Sequence, residues 1–255
     1  MRLFLGVMLV GCAGDDVEAL QGDASSLQDE VDTLTAQLAT AETTIADYEG
    51  RLSSLESSLS DLSALASTVT VSNGDVVISG ANLYLQSGTG STTGDVNGKG
   101  NLILGYDEDN GDDKTGSHNI IVGPFHSYTG FAGVALGQDH SISGPMAAIT
   151  GGIENVATGS YASISGGSTN LAAGYGSHIG GGEGNTANGQ YGSIVGGGSN
   201  IVDGESASVV GGRNNTAVGA YSSVSAGYSN TAVGEYSSAY GSSGLTAKES
   251  YDVVP

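Results

Sequence analysis

The side chains that could do chemistry are few and widely spaced. Cys12 is the single cysteine of the chain, so it forms no internal disulfide and leaves one thiol nucleophile to explain. The histidines His118, His126, His140 and His178 are too scattered for a metal cluster and read as isolated loop or surface residues. The run Asp107-Glu108-Asp109-Asn110-Gly111-Asp112-Asp113 has the composition of a calcium loop but not its register. With Gly111 at the sixth place, Tyr106 stands where the first Asp belongs, and no Glu falls at the twelfth. It reads as a solvated acidic loop. No Gly-x-Ser-x-Gly elbow is present, and Gly180 to Gly184 is followed by no Lys-Ser/Thr pair of a phosphate loop. No catalytic residue, metal site or cofactor is therefore expected, and the chain does not read as an enzyme. Tyr161, Tyr191, Tyr221 and Tyr236 fall in one column with Phe131 and Met146. Such a column serves either as an outward aromatic stripe for glycans or as packing between stacked turns and chains; aromatic burial favours packing.

Composition narrows the classes further. Of 255 residues, 44 are Gly and none is Trp, and 27 acidic residues face 6 basic ones for a net charge of −21. That balance excludes a nucleic-acid binder, which needs a basic patch. Gly without a three-residue period and without abundant Pro excludes collagen.

Residues 1–11 read as a secretory signal. Met1-Arg2 is a minimal basic start, and Leu3 to Val10 is apolar but too short to span a bilayer, which takes about 20 residues. Leu9-Val10-Gly11-Cys12 resembles the bacterial lipobox. The resemblance implies that the Cys12 sulfur takes a diacylglycerol and that Cys12 becomes the acylated first residue, with 12–16 as anchor segment. Two or three acyl chains hold a protein firmly on a membrane. Ala13 and Gly14 follow; by resemblance to enteric lipoproteins, the lack of Asp there implies the outer membrane.

Residues 17–69 carry an unbroken heptad pattern. Its a and d positions are Val17, Leu20, Ala24, Leu27, Val31, Leu34, Leu38, Ala41, Ile45, Tyr48, Leu52, Leu55, Leu59, Leu62, Ala66 and Val69. A 3.5-residue average puts one apolar seam on a helix, and only another helix can bury it. The segment predicts a coiled-coil stalk roughly 80 Å long at about 1.5 Å per residue. Twelve acidic residues against Arg51 predict stabilisation by salt or lowered pH. A lipidated Cys followed by such a helix resembles murein lipoprotein, over residues 12 to about 70. The chain ends in Pro255 rather than the Lys through which that family is joined to peptidoglycan, so that linkage is not expected.

From about residue 131 a strict 15-residue period appears. Gly recurs at 137, 152, 167, 182, 197, 212 and 227, and again at 144, 159, 174, 189, 204, 219 and 234; aliphatics recur from 134 to 224. Asn155, Asn170, Asn185, Asn200, Asn215 and Asn230 form a further column. The unit predicts two short strands, near 155–159 and 161–166, with Ala162 and Ile164 on one face and Ser163 and Ser165 on the other. Gly pairs would turn the corners. Stacking at roughly 4.8 Å per turn gives a parallel β-solenoid, and the Asn column becomes an amide ladder. One turn alone is too thin to offset its ordering cost, so neighbouring chains are expected to complete its interior.

Asn215-Thr216-Ala217-Val218-Gly219-Ala220-Tyr221-Ser222-Ser223-Val224-Ser225-Ala226-Gly227, and its echo from Asn230 to Ala239, resemble the YadA-like head repeat of trimeric autotransporter adhesins, across about 131–241. The resemblance implies a left-handed parallel β-roll of three chains and an adhesive role. This repeat is 15 rather than about 14 residues long, and the anchor lies at the opposite end of the chain from that family's membrane barrel.

The expectation is thus an α-then-β fibrous protein. It comprises a signal (1–11), an anchor (12–16), a stalk (17–69), a β-rich neck with irregular first turns (70–130), a head (131–241) and a cap or tail (242–255). In the neck, strands are expected at 68–71, 76–79 and 82–85, with Asn73-Gly74 as a turn. The expected role is a homotrimeric, lipid-anchored adhesin on the bacterial outer membrane with a protein or glycan ligand. The rival is a passive envelope spacer without a ligand.

Overall fold

The computed structural model describes residues 14–255; the signal segment and Cys12 lie outside the described residues. The chain divides into two compact units, one ending at Leu83 and one spanning Tyr84–Pro255. In the first, helix α1 runs over Gly14–Thr68. No Pro interrupts it, and the hydroxyls of Thr33, Thr35, Thr40 and Thr43 donate to carbonyls four residues back, so its polar face satisfies itself. The heptad seam lies bare: Leu27, Leu55 and Leu59 are 62%, 67% and 67% exposed. Among the described residues no helix is long and apolar enough to cross a membrane. Strands β1 (Val69–Ser72) and β2 (Asp75–Ile78) form an antiparallel hairpin. Asn73 and Gly74 both take positive φ, as the turn requires. The strand expected at 82–85 does not form; those residues are irregular.

The second unit is a parallel β-solenoid. Its turns supply two sheets, one of 11 strands and one of 9, each strand paired with its counterpart one turn away. The longer sheet opens with β3 (Leu102–Leu104) and β4 (Ile120–Val122), the shorter with β5 (Ser127–Tyr128). In the regular turns Ser163 pairs with His178 and Leu171 with Thr186. Strands this short satisfy their backbone through the turns above and below, as in Ser163 N–H to Ser177 O at 2.9 Å.

The core is a double column. Ile149, Ile164, Ile179 and Ile194 from the long sheet and Ala157, Ala172 and Ala187 from the short sheet are fully buried in one cluster. In most turns a large residue on one sheet is matched by a small one on the other. Where the long sheet shrinks to Ala135, the short sheet grows to Ile142, and Val202 replaces the usual Ala in the turn of Ile194. The position before each long-sheet strand adjusts as well. It is Ala147, Ala162 or Ala207 in ordinary turns but Gly133 and Gly192 beside the larger residues, where an added Cβ would lie 2.9 Å from Ile142 Cδ1 and 2.8 Å from Val202 Cγ1. Close packing explains this exchange of volume. Gly192→Ala should therefore cost about 1–3 kcal/mol by overpacking, and adding Val202→Ala should recover part of that loss. A thermal-melt double-mutant cycle reads the coupling.

The same column carries three hydroxyls, Ser177, Ser222 and Ser237, whose buried oxygens have no hydrogen-bond partner. Ala fits this column at 147, 162 and 207. Ser222→Ala and Ser237→Ala should leave the melting temperature unchanged or raise it, because an unsatisfied buried hydroxyl is removed.

The repeat length has a local cause. Ile120 pairs with Val134 and Val134 with Ala148, a 14-residue spacing, before Ala148 pairs with Ser163 at 15. The long-sheet strand runs into a single Gly at Val122-Gly123 and Leu136-Gly137, and into a pair at Thr150-Gly151-Gly152. The first Gly of later pairs (Gly166, Gly181, Gly196, Gly211) is the added residue: nothing lies within 4 Å of where its Cβ would be. The second takes positive φ, 91° at Gly152. The pair expected to turn the corner thus divides its roles, and only the second member needs glycine's freedom. The shift also corrects two columns. Ala135, not Val134, points inward, and Ala132, not Phe131, precedes Met146 in the tyrosine column.

The interior of the solenoid is closed by one chain's own side chains. Contrary to the expectation from a single turn, neighbouring chains are not needed to complete the interior, because most Ile side chains meet an Ala across the core and are sealed by the turns above and below. The solenoid's interior therefore gives no reason for further chains. The bare seam of α1 does.

Candidate functional site

The asparagine column lies at the corner where the short-sheet strand begins, and Asn155, Asn170, Asn185, Asn200, Asn215 and Asn230 are all fully buried. At Asn185 the backbone N–H donates to Asn170 Oδ1 at 2.9 Å, while Asn185 Oδ1 accepts from Asn200 N–H at 3.0 Å. Its Nδ2 donates to Gly181 O and Gly197 O, both at 3.0 Å. The ladder is thus mostly side chain to backbone, and a direct amide–amide bond appears at Asn170 Nδ2 to Asn155 Oδ1, 3.0 Å. At Asn185, Asn200 and Asn215 each amide instead donates to two corner carbonyls. Leu245 donates its N–H to Asn230 Oδ1 at 2.9 Å and has no amide to continue the series.

Two of the histidines belong to this ladder. His126 and His140 are fully buried, and their rings stack with centroids 5.3 Å apart. His140 N–H donates to His126 Nδ1, and Asn155 N–H to His140 Nδ1, each at 3.1 Å. Nε2 of each ring faces the carbonyl of Val122 or Leu136 at 3.1 Å. Both rings are therefore neutral, with Nδ1 accepting and Nε2–H donating. The signal was in the sequence: His126, His140 and Asn155 each stand three residues after Gly123, Gly137 and Gly152. The larger imidazole serves the 14-residue corner, and the amide serves the 15-residue one.

Burial, with His126 beside it, pushes His140 down to about 4 from 6.5. The unfolded chain takes up this proton near 6.5 and the folded chain does not, so the stability is fully present above pH 6.5. It is lost as pH falls from there towards 4. The loss should reach about 2–3 kcal/mol. Thermal melts across that interval should show the decline, and His140→Asn should flatten it.

The acidic loop is occupied by the protein itself. Lys114 Nζ lies 3.2 Å from Asp107 Oδ1 and donates to the carbonyls of Asp107 and Glu108. Tyr128 Oη donates to Asp107 Oδ2 at 2.9 Å. Burial and this carboxylate hold the Tyr128 phenol well above its ordinary value. Asp109 accepts from the N–H groups of Gly111 and Asp112 at 2.8 and 2.9 Å, which holds its carboxyl below the usual value. Tyr128 N–H donates to Asp113 O at 2.7 Å, so the loop docks on the first short-sheet strand. Among the described residues no group of three or more His, Cys, Asp or Glu is placed to hold a metal ion. His118 accepts from Ser87 N–H at 3.1 Å and borders a recess of about 380 Å³ lined with Ser87, Ser91 and Thr92. His178 is exposed and hydrogen-bonds Ser163 Oγ at 3.0 Å. Stacking of one turn on the next produces that pair, and among the described residues no carboxylate hydrogen-bonds the imidazole.

The tyrosine column occupies the other corner. Tyr161, Tyr191, Tyr221, Tyr236 and Tyr251 all take positive φ, between 54° and 63°. Tyr221, Tyr236 and Tyr251 stack nearly parallel at 4.9 and 5.0 Å. Tyr175, one place before Gly176, joins Tyr161 and Tyr191 edge to face at 5.4 and 5.6 Å. The rings stay between 42% and 72% exposed. Crowding by its neighbours, then the Glu235 carboxylate, raises the Tyr236 phenol above its usual value. The lateral stacking read from sequence is present, and Tyr175 and Tyr251 extend it.

Comparison with known proteins finds no family model that matches the chain and no matching curated protein.

Proposed function

We propose that the chain is a lipid-anchored, homotrimeric surface fibre of the bacterial outer membrane. Helix α1 is its coiled-coil stalk, and the solenoid is an adhesin-like head. One observation carries the association: a 55-residue helix with an unbroken heptad seam open to water throughout. Such a seam is stable when it packs on copies of itself. The lipid anchor rests on Leu9-Val10-Gly11-Cys12, and the outer-membrane placement and trimeric head rest on the resemblances of those residues and of the repeats. The adhesive role is supported by a head whose core is closed and whose ladder and strand backbone are paired from turn to turn, which leaves its outer corners free to meet a ligand.

Labelled palmitate should enter the full-length protein in a bacterial host and not its Cys12→Ser variant. Protease added to intact cells should remove the head, and cells displaying it should bind other cells or matrix more than cells without it. Surface exposure without any gain in binding would favour the spacer reading and reject the adhesin.

A further inference from the structure

We infer that the tyrosine corner is a binding strip for a linear, neutral polysaccharide running along the solenoid. This names the ligand class of the proposed head and rests on that reading. The first ground is where these rings are held. A non-glycine residue at positive φ is strained, and an aromatic one more so than Asn, Asp or Gly. The chain makes the same backbone turn at its opposite corner with Asp139, Glu154, Thr169, Ser199, Asn214 and Ser229. The turn itself therefore does not call for tyrosine. The rings do not offset this strain by burial, since they remain half exposed.

The second ground is what surrounds them. The residues preceding the column in successive turns include Ser160, Gln190, Glu205, Glu235 and Ser250. Aliphatic side chains that would widen the stripe into a protein-docking patch are missing from that row, apart from Ala220. Aromatic rings alternating with amide, hydroxyl and carboxylate groups match the two sides of a sugar ring, apolar C–H and polar hydroxyl. The third ground is charge: Glu205 and Glu235 stand in the row beside the rings with no Lys or Arg among them, which disfavours sulfated or uronate chains. The fourth is period. Rings recur once per turn in two sets, Tyr161-Tyr175-Tyr191 and Tyr221-Tyr236-Tyr251, with Ser206 between them. A row with one ring per turn fits a polymer with a regular repeat, whose successive units gain by avidity.

The test uses the full chain and its Tyr161→Asn/Tyr191→Asn and Tyr221→Asn/Tyr236→Asn variants. Retention is measured on insoluble cellulose, chitin and starch, with heparin-agarose as the anionic control. Asn accepts positive φ readily, so both variants should melt at the same or a higher temperature. They should lose about tenfold or more of the retention on at least one neutral polymer, as two contact rings would give. Wild-type retention on none of the neutral polymers overturns the inference. So does equal retention by the variants, or a fall in melting temperature that accompanies the fall in retention, which would make the rings structural. If cells displaying the head bind and the Asn variants bind equally well, the adhesin reading stands and this strip does not.

Discussion

Asn185→Ala is expected to destabilise the solenoid by about 2–4 kcal/mol, because it leaves a buried N–H and a half-buried carbonyl unpaired at once. Asn200 N–H loses its acceptor and Gly181 O its donor, while Gly197 O keeps only the Glu183 N–H at 3.0 Å. Each buried polar group left unpaired costs about 1–3 kcal/mol, and the site admits little water because Asn185 and its ladder neighbours are fully buried. Stability in a stacked repeat is a sum of nearest-neighbour terms, so the damage should spread to the flanking turns and shift the denaturation midpoint. Asn188→Ala is the control. That side chain is exposed and bonds only Asp203 Oδ1, at 2.8 Å, so its loss should stay within about 0.5 kcal/mol. Equal effects at 185 and 188 would show that the ladder does not hold the turns together.

The second large effect belongs to α1. Leu52→Asp with Leu55→Asp should dissociate the chains and abolish most of the helical circular-dichroism signal, while the solenoid keeps its melting temperature. Each Leu withdrawn from a buried seam forfeits about 1.5–3 kcal/mol per chain, and an Asp placed there adds an unpaired charge. Without packing, a helix draws little stability from propensity alone. Ser53→Asp with Ser54→Asp adds the same charge to the neighbouring positions outside the seam. That pair should weaken association only slightly, through the repulsion already present on an acidic stalk. Persistence of the helix as a stable monomer after the seam mutation would mean that the leucines are not what holds it.

The sequence displayed the architecture because both of its periods are geometric. Val17 to Val69 reads as one helix, since a 3.5-residue spacing has no other use, and α1 is unbroken from Val17 to Thr68, with Val69 opening β1. Ala162 and Ile164 were assignable to one face because strand side chains alternate, and both are buried. Asn73-Gly74 announced a turn through residues that accept positive φ. What escaped notice depended on register or partnership. His140 stands 15 residues before Asn155, on the grid of the asparagines, and looked isolated because the residue type changes there; His126, 14 residues earlier, falls off that grid. Phe131 was placed in the tyrosine column by the same slip. Lys114 lies only seven residues from Asp107 in sequence, but its role in filling the acidic loop depends on how that loop folds back. The closure of the core was hidden because pairings such as Ala135 with Ile142 become visible only when two sheets face each other.

The association of chains through α1 is the claim on which the fibre depends. Sedimentation equilibrium of residues 15–255, with circular dichroism on the same sample, measures it most directly. The expected result is a single species of three times the chain mass with a fully helical stalk, tightening as salt is raised. A folded, helical species of one chain mass would contradict it.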